Sequence, residues 1–127
     1  MFKETVICVI IIIAIFTLDI VTQNFTKNTV SEITGIFTSL KENILKKDDV
    51  QIKNEIKKLD EQWKNVHDKL AYYIEHDDLE KVDTAIVTMK SYVETDNFSS
   101  ATAELDEGKF VLEHIQDKNA FNLQNIF

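Results

Sequence analysis

The sequence has no proline, and its only two glycines are Gly35 and Gly108. Because proline and glycine mark most turns, their scarcity argues against a fold of many short strands and favours long helices. Cysteine is equally scarce: Cys8 stands alone, so no disulfide can form within the chain. Without its apolar start, the 127-residue chain has room for one domain of about 100 residues.

Arginine is absent as well, so all 14 basic residues are lysine, and the net charge is −8. Nucleic-acid binding depends on clustered cations, and base recognition most often uses arginine. We therefore expect no nucleic-acid partner. An acidic surface as a whole also gives no electrostatic attraction toward anionic lipid.

Long apolar runs are confined to the amino-terminal end. Residues 5–18 carry no charged side chain, and Ile20 and Val21 extend the apolar character past Asp19. A run of this length also fits a cleaved signal peptide. However, no Ala-x-Ala-like pair follows it, and Cys8 lies inside the run rather than just after it as in a lipoprotein signal. We therefore favour a retained transmembrane anchor, residues 1–24.

As a helix, residues 3–24 would be about 31 Å long, which matches the hydrocarbon core of a bilayer. Asp19 would then lie near the outer interface. The four residues before the apolar run most simply stay in the cytoplasm. The sequence thus predicts a single-pass protein of the cytoplasmic membrane with residues 25–127 on the extracytoplasmic side.

Apolar residues in the rest of the chain are spaced alternately by three and four, which is typical of one buried face of a helix. Four such stripes occupy residues 30–44, 52–73, 79–93 and 98–115, and Gly108 stands at a missing apolar position of the last. Short polar segments separate them, and either Asp48 or Asp49 is suited to cap the second helix.

Connections this short make neighbouring helices antiparallel. The predicted fold is all-α: an up-down-up-down four-helix bundle preceded by, or continuous with, the transmembrane helix. A long coiled coil is the competing interpretation, and the three polar breaks argue against it.

Two histidines are the strongest metal-ligand candidates. His76, at the second corner, and His114, in the fourth helix, would both lie at the membrane-proximal end with carboxylates nearby. No spacing typical of a metal site accompanies them, so we assign no metal and no cofactor. The alternative is that each imidazole satisfies carbonyls at the carboxyl end of its own helix. Nucleophile–base pairs and phosphate-binding loops are not recognisable either, so we expect no enzymatic activity.

The segment NAFNLQNIF that ends the sequence is too apolar to be left in water and too short for another bundle helix. We prefer an interpretation in which its large apolar side chains cap the base of the bundle; contact with the bilayer or a membrane partner is the alternative. Those side chains are Phe121, Leu123, Ile126 and Phe127.

Several segments resemble a bacterial family known as domain of unknown function 4363: the apolar start, the tryptophan at Trp63, residues 72–83, and the closing residues 112–127. Asn119 stands where that family's pattern suggests an acidic residue. The resemblance implies a small membrane-anchored helical protein of low-GC, often spore-forming bacteria, often encoded beside another membrane protein. It implies no catalytic residues.

The sequence therefore predicts a non-enzymatic, membrane-anchored helical bundle that acts as a structural or interaction accessory of a membrane complex. The expected partners are the membrane and another membrane protein, and a homo-oligomer is compatible with the pattern. The first alternative is an extracytoplasmic sensory or ligand-binding module, because helical bundles on membrane helices can transmit small helix shifts. A metal-binding protein that uses His76 and His114 is the other.

Overall fold

The computed structural model describes the backbone of residues 1–126 and the side chains of residues 1–120. It contains four α-helices: α1 (Phe2–Leu45), α2 (Asp49–Leu70), α3 (His76–Glu94) and α4 (Phe98–Ile126). Residues 1–126 contain no β-strand. The predicted all-α class is confirmed, and the helices follow one another through connections of three to five residues.

Helix α1 runs without interruption for 44 residues, about 66 Å. Its first half contains a window long and apolar enough to cross a membrane, and no residue of that window is buried inside the protein. Burial begins at Thr26, and the second half of α1 belongs to the bundle. The apolar helix and the first bundle helix are therefore continuous, and the expected boundary between residues 24 and 25 falls inside α1.

Contacts between side chains show the direction of each helix pair. The paired residues are Thr26 with Tyr73 and Ser39 with Glu55 (α1 with α2 and the connection that follows it), Thr26 with Asn119 and Lys41 with Asp106 (α1 and α4), Asp60 with Lys90 and Trp63 with Asp83 (α2 and α3), and Asp78 with Lys118 (α3 and α4). Wherever a helix pair has two such contacts, the later residue of one helix meets the earlier residue of the other. The contacts of these three pairs run antiparallel, and the up-down-up-down order of the whole bundle stays a prediction.

We call the end of the bundle that contains Thr26, Asn119 and residues 71–75 the proximal end, because it is nearest to the apolar half of α1. The end that contains residues 46–48 and 95–97 is the distal end. Every helix contributes fully buried large side chains to the core between them, for example Leu40, Leu59, Met89 and Leu112. Burial of one such side chain contributes about 1.5–3 kcal/mol.

Gly108 occupies the missing apolar position of α4 because there is no room for a larger residue. A Cβ atom built on Gly108 would lie 2.8 Å from Cε2 of Phe37 on α1 and 3.5 Å from the Cβ of Ala85 on α3. The other glycine is different, since a Cβ atom on Gly35 would meet nothing within 4 Å. Gly108 thus permits the close approach of α4 to α1 and α3.

Two helices end in left-handed residues although neither residue is glycine. Lys47 and Asp96 both have φ of 56°. At each, the backbone N–H groups of the left-handed residue and of the next residue donate to the last carbonyls of the preceding helix, as in a Schellman motif. Asp48 then caps α2 by accepting a hydrogen bond from the backbone N–H of Gln51 at 3.2 Å, which confirms Asp48 as one of the two expected caps.

Candidate functional site

The structure places the two candidate metal-ligating histidines on the surface. His76 is the first residue of α3, and its Nε2 lies 3.8 Å from Oε2 of Glu80 one turn later. His114 is exposed in the interior of α4. Neither histidine lies at the carboxyl end of a helix, so the proposed carbonyl-capping role was wrong. Among the described side chains, no group of three or more His, Cys, Asp and Glu residues could hold a metal ion.

The carboxylates expected near His76 have another partner. The ammonium group of Lys118 lies 2.9 Å from Oε1 of Glu75 and 3.4 Å from Oδ2 of Asp78, which is itself buried. The hydrogen bond to Glu75 is the main cause that raises the pKa of Lys118, and the negative charge of Asp78 adds to it. This cluster ties the corner between α2 and α3 to α4.

A second polar cluster joins α1, the α2–α3 connection and α4 at the proximal end. The hydroxyl oxygens of Thr26 and Tyr73 are 2.7 Å apart, and the Tyr73 hydroxyl donates to the carbonyl oxygen of Thr22 at 3.3 Å. The Nδ2 of Asn119 donates to the Thr26 hydroxyl at 3.4 Å. Burial raises the pKa of Tyr73, which keeps the phenol protonated. Asn119, where the resemblance suggested an acidic residue, is therefore a hydrogen-bond donor in this chain.

Beside this cluster, a cavity of about 250 Å³ lies between α1 and α4. We call it the α1–α4 cavity. Apart from Ala120, its lining is polar and contains one lysine and no carboxylate among the described residues. The lining residues are Gln23, Asn24, Thr26, Lys27, Gln116 and Asn119.

Trp63 makes a polar contact that its place in an apolar stripe did not indicate. Its indole N–H donates to Oδ1 of Asp83 on α3, and the other oxygen of Asp83 lies 3.3 Å from Nε2 of His67. The rings of Trp63 and His67 meet edge to face with centroids 5.6 Å apart. The contact links α2 to α3 halfway along the bundle.

A larger groove separates α2 from α3 toward the distal end, with a volume of about 620 Å³. Its apolar floor consists of Ile52, Ile56, Val93 and Phe98, and we call it the α2–α3 groove. Ile52 is buried, whereas the other three are half-buried. At its inner end, Lys90 of α3 binds Asp60 of α2 at 3.0 Å. Partly exposed apolar side chains in a concave surface make this groove the candidate functional site.

The chain's family can be decided by comparison with known proteins. The family model described as a domain of unknown function, DUF4363, matches residues 20–126. The chain belongs to the DUF4363 family. No curated protein and no solved structure matches it. The range that matches the DUF4363 model contains all of α2, α3 and α4 and the bundle half of α1.

The four apolar residues predicted to cap the bundle base lie outside the described side chains: Phe121, Leu123, Ile126 and Phe127. The capping role stays a prediction. Helix α4 itself continues to Ile126, past the level of Asn119.

The sequence interpretation missed both the α2–α3 groove and the α1–α4 cavity. Periodicity shows which face of a helix is buried but gives no distance between two helices that contact through long side chains. The same holds for Lys118, whose two carboxylate partners lie 40 and 43 positions earlier in the chain. No local spacing signals a pair that only the fold brings together.

Proposed function

We propose that this DUF4363 protein is a non-enzymatic, single-pass protein of the cytoplasmic membrane whose extracytoplasmic bundle binds another membrane protein through the α2–α3 groove. The groove is the observation that carries the proposal, because it is a large concavity of about 620 Å³ with half-buried apolar side chains on its floor.

The exposed apolar half of α1 supports the membrane anchor. Its large side chains are roughly half-exposed, for example Ile10 at 59% and Ile13 at 59%. Water would disfavour such a continuous apolar surface, whereas a bilayer would stabilise it. Because α1 is one continuous helix, an anchored first half would hold the bundle close to the membrane surface.

The composition of the groove indicates the kind of partner. Ile56, Val93 and Phe98 offer apolar contacts along a cleft between two helices, which is the shape that receives an amphipathic helix. The rim carries five carboxylates against three lysines, a net charge of 3 − 5 = −2. We therefore propose that the occupant is a helix of a membrane protein whose apolar side chains are flanked by basic residues.

Site-specific photo-crosslinking in a host that contains the partner tests this proposal. A photoreactive residue replaces Val93 in the groove, and the matched control replaces Val87, which is 60% exposed on the same helix but outside the groove. The proposal predicts an adduct with one membrane protein from position 93 and none from position 87. Mapping the adduct to a basic amphipathic helix would support the stated chemistry.

Two results would contradict the proposal. Identical adducts from both positions would indicate random collision rather than a docking surface. An adduct between two copies of this chain would assign the groove to self-association instead.

A further inference from the structure

The α1–α4 cavity differs from the rest of this acidic protein in the groups that it offers. Lys27 supplies an ammonium group, and Gln23, Asn24, Gln116 and Asn119 supply amide N–H donors. The buried hydroxyl of Thr26 already donates to the carbonyl oxygen of Thr22 at 2.8 Å, so the ammonium and amide groups are the donors left for a ligand. One cation with several neutral donors, and no carboxylate among the described lining residues, is a set that suits the oxygens of a phosphate group. Asp19 lies eight residues before Lys27, about 12 Å along the helix, and is not part of the lining.

The position of the cavity along α1 indicates where such a phosphate group would come from. Val21 is the last residue of the apolar segment, and Thr26 lies five residues later, about 7.5 Å along the helix. The head-group layer of a bilayer is about 5–8 Å thick on each side of the hydrocarbon core. If the apolar half of α1 spans the membrane, the cavity lies at the level of the lipid head groups.

On the bilayer side of the cavity, α1 exposes large apolar side chains. On α1, Ile20 and Val21 are each 57% exposed. Helix α4, antiparallel to α1, continues to Ile126 toward that side, and residues 119–127 of the sequence have no charged side chain. A lipid with its phosphate group in the cavity would therefore find apolar surface on α1 for its acyl chains. Tyr72, at the same end and 88% exposed, is of the type enriched at membrane interfaces.

We propose that the α1–α4 cavity binds the head group of an anionic phospholipid from the outer leaflet, with the lipid phosphate on Lys27 and the surrounding amide groups. This inference rests on the proposed membrane anchor. The net charge of −8 gives the whole chain no attraction to such lipids, so the preference is local and depends on Lys27.

Native mass spectrometry of the full-length protein in detergent tests the proposal. The protein is mixed with equal amounts of phosphatidylglycerol and phosphatidylcholine, and retained lipid is counted for the wild type, Lys27→Gln and Lys64→Gln. Lys64 is an exposed lysine of α2 away from the cavity and serves as the control. We expect the wild type to prefer phosphatidylglycerol, Lys27→Gln to lower its retention about five-fold, and Lys64→Gln to leave it unchanged.

Each other outcome contradicts a specific part of the proposal. Equal retention of the two lipids, or equal loss in both variants, would overturn the cavity as a lipid site. If glycerol 3-phosphate displaced the lipid and stabilised the lipid-free protein as well as phosphatidylglycerol does, the ligand would be a soluble phosphate. A separate carbonate wash of membranes tests the anchor. Release of the protein would overturn both the membrane anchor and this inference. If the protein is retained, a negative lipid-binding result would overturn only the lipid site in the α1–α4 cavity.

Discussion

Gly108 offers the most quantitative test of the packing, because the same substitution at Gly35 should have the opposite effect. Both glycines lie inside helices, where alanine is more favourable by about 1 kcal/mol. At Gly35 the new methyl group meets nothing within 4 Å, so Gly35→Ala should stabilise the protein by about that amount. At Gly108 the methyl group would lie 2.8 Å from the buried ring of Phe37.

Forcing an extra carbon atom into a packed core costs about 1–3 kcal/mol. Gly108→Ala should therefore lose about 1 kcal/mol overall, and its melting temperature should fall by about 4–8 °C, while that of Gly35→Ala should rise by a similar amount. Thermal unfolding of the full-length protein in detergent, followed by circular dichroism, measures both. Equal stabilisation by the two substitutions would show that α4 does not approach α1 as closely as the structure indicates.

Three further predictions concern single contacts. Lys47→Gly should stabilise the protein by about 1 kcal/mol in urea unfolding, because glycine adopts the left-handed conformation of Lys47 without steric cost. The free energy of unfolding should fall as the pH rises above about 10, because folding raises the pKa of Tyr73 above 10.0 and that of Lys118 above 10.5. Tyr73→Phe should weaken this fall. A variant with the same pH dependence of stability as the wild type would contradict the contacts assigned to Tyr73. Trp63→Phe should cost about 1–2 kcal/mol in the same urea assay, since it removes the donor to Asp83, and a neutral result would mean that water replaces this contact.

The helices were predictable because their signals are local. The three-and-four spacing of apolar residues identified four buried stripes, and Leu40, Leu59, Met89 and Leu112 are all fully buried. Short polar breaks predicted that neighbouring helices run antiparallel, and Asp48 is one of the two caps expected from the sequence. The sequence also allowed a continuous α1 to be predicted, since no turn residue separates its apolar half from its bundle half.

The candidate site was not predictable from the same signals. The α2–α3 groove depends on how far apart two helices stand, and sequence periodicity does not contain that distance. The expected importance of His76 rested on nearby carboxylates, which in the fold pair with Lys118 instead. Lys27 follows the apolar segment by six positions, and it gains its proposed role only because α4 places amide groups beside it.

The central claim is that α1 crosses the membrane and carries the bundle on the extracytoplasmic side, and cysteine labelling in intact cells tests it most directly. Phe110, 69% exposed on α4, and Lys3, before the apolar segment, are each replaced by cysteine in a Cys8→Ser background. A membrane-impermeant maleimide should label Phe110→Cys in intact cells and Lys3→Cys only after permeabilisation. Labelling of Phe110→Cys only after permeabilisation would contradict the account.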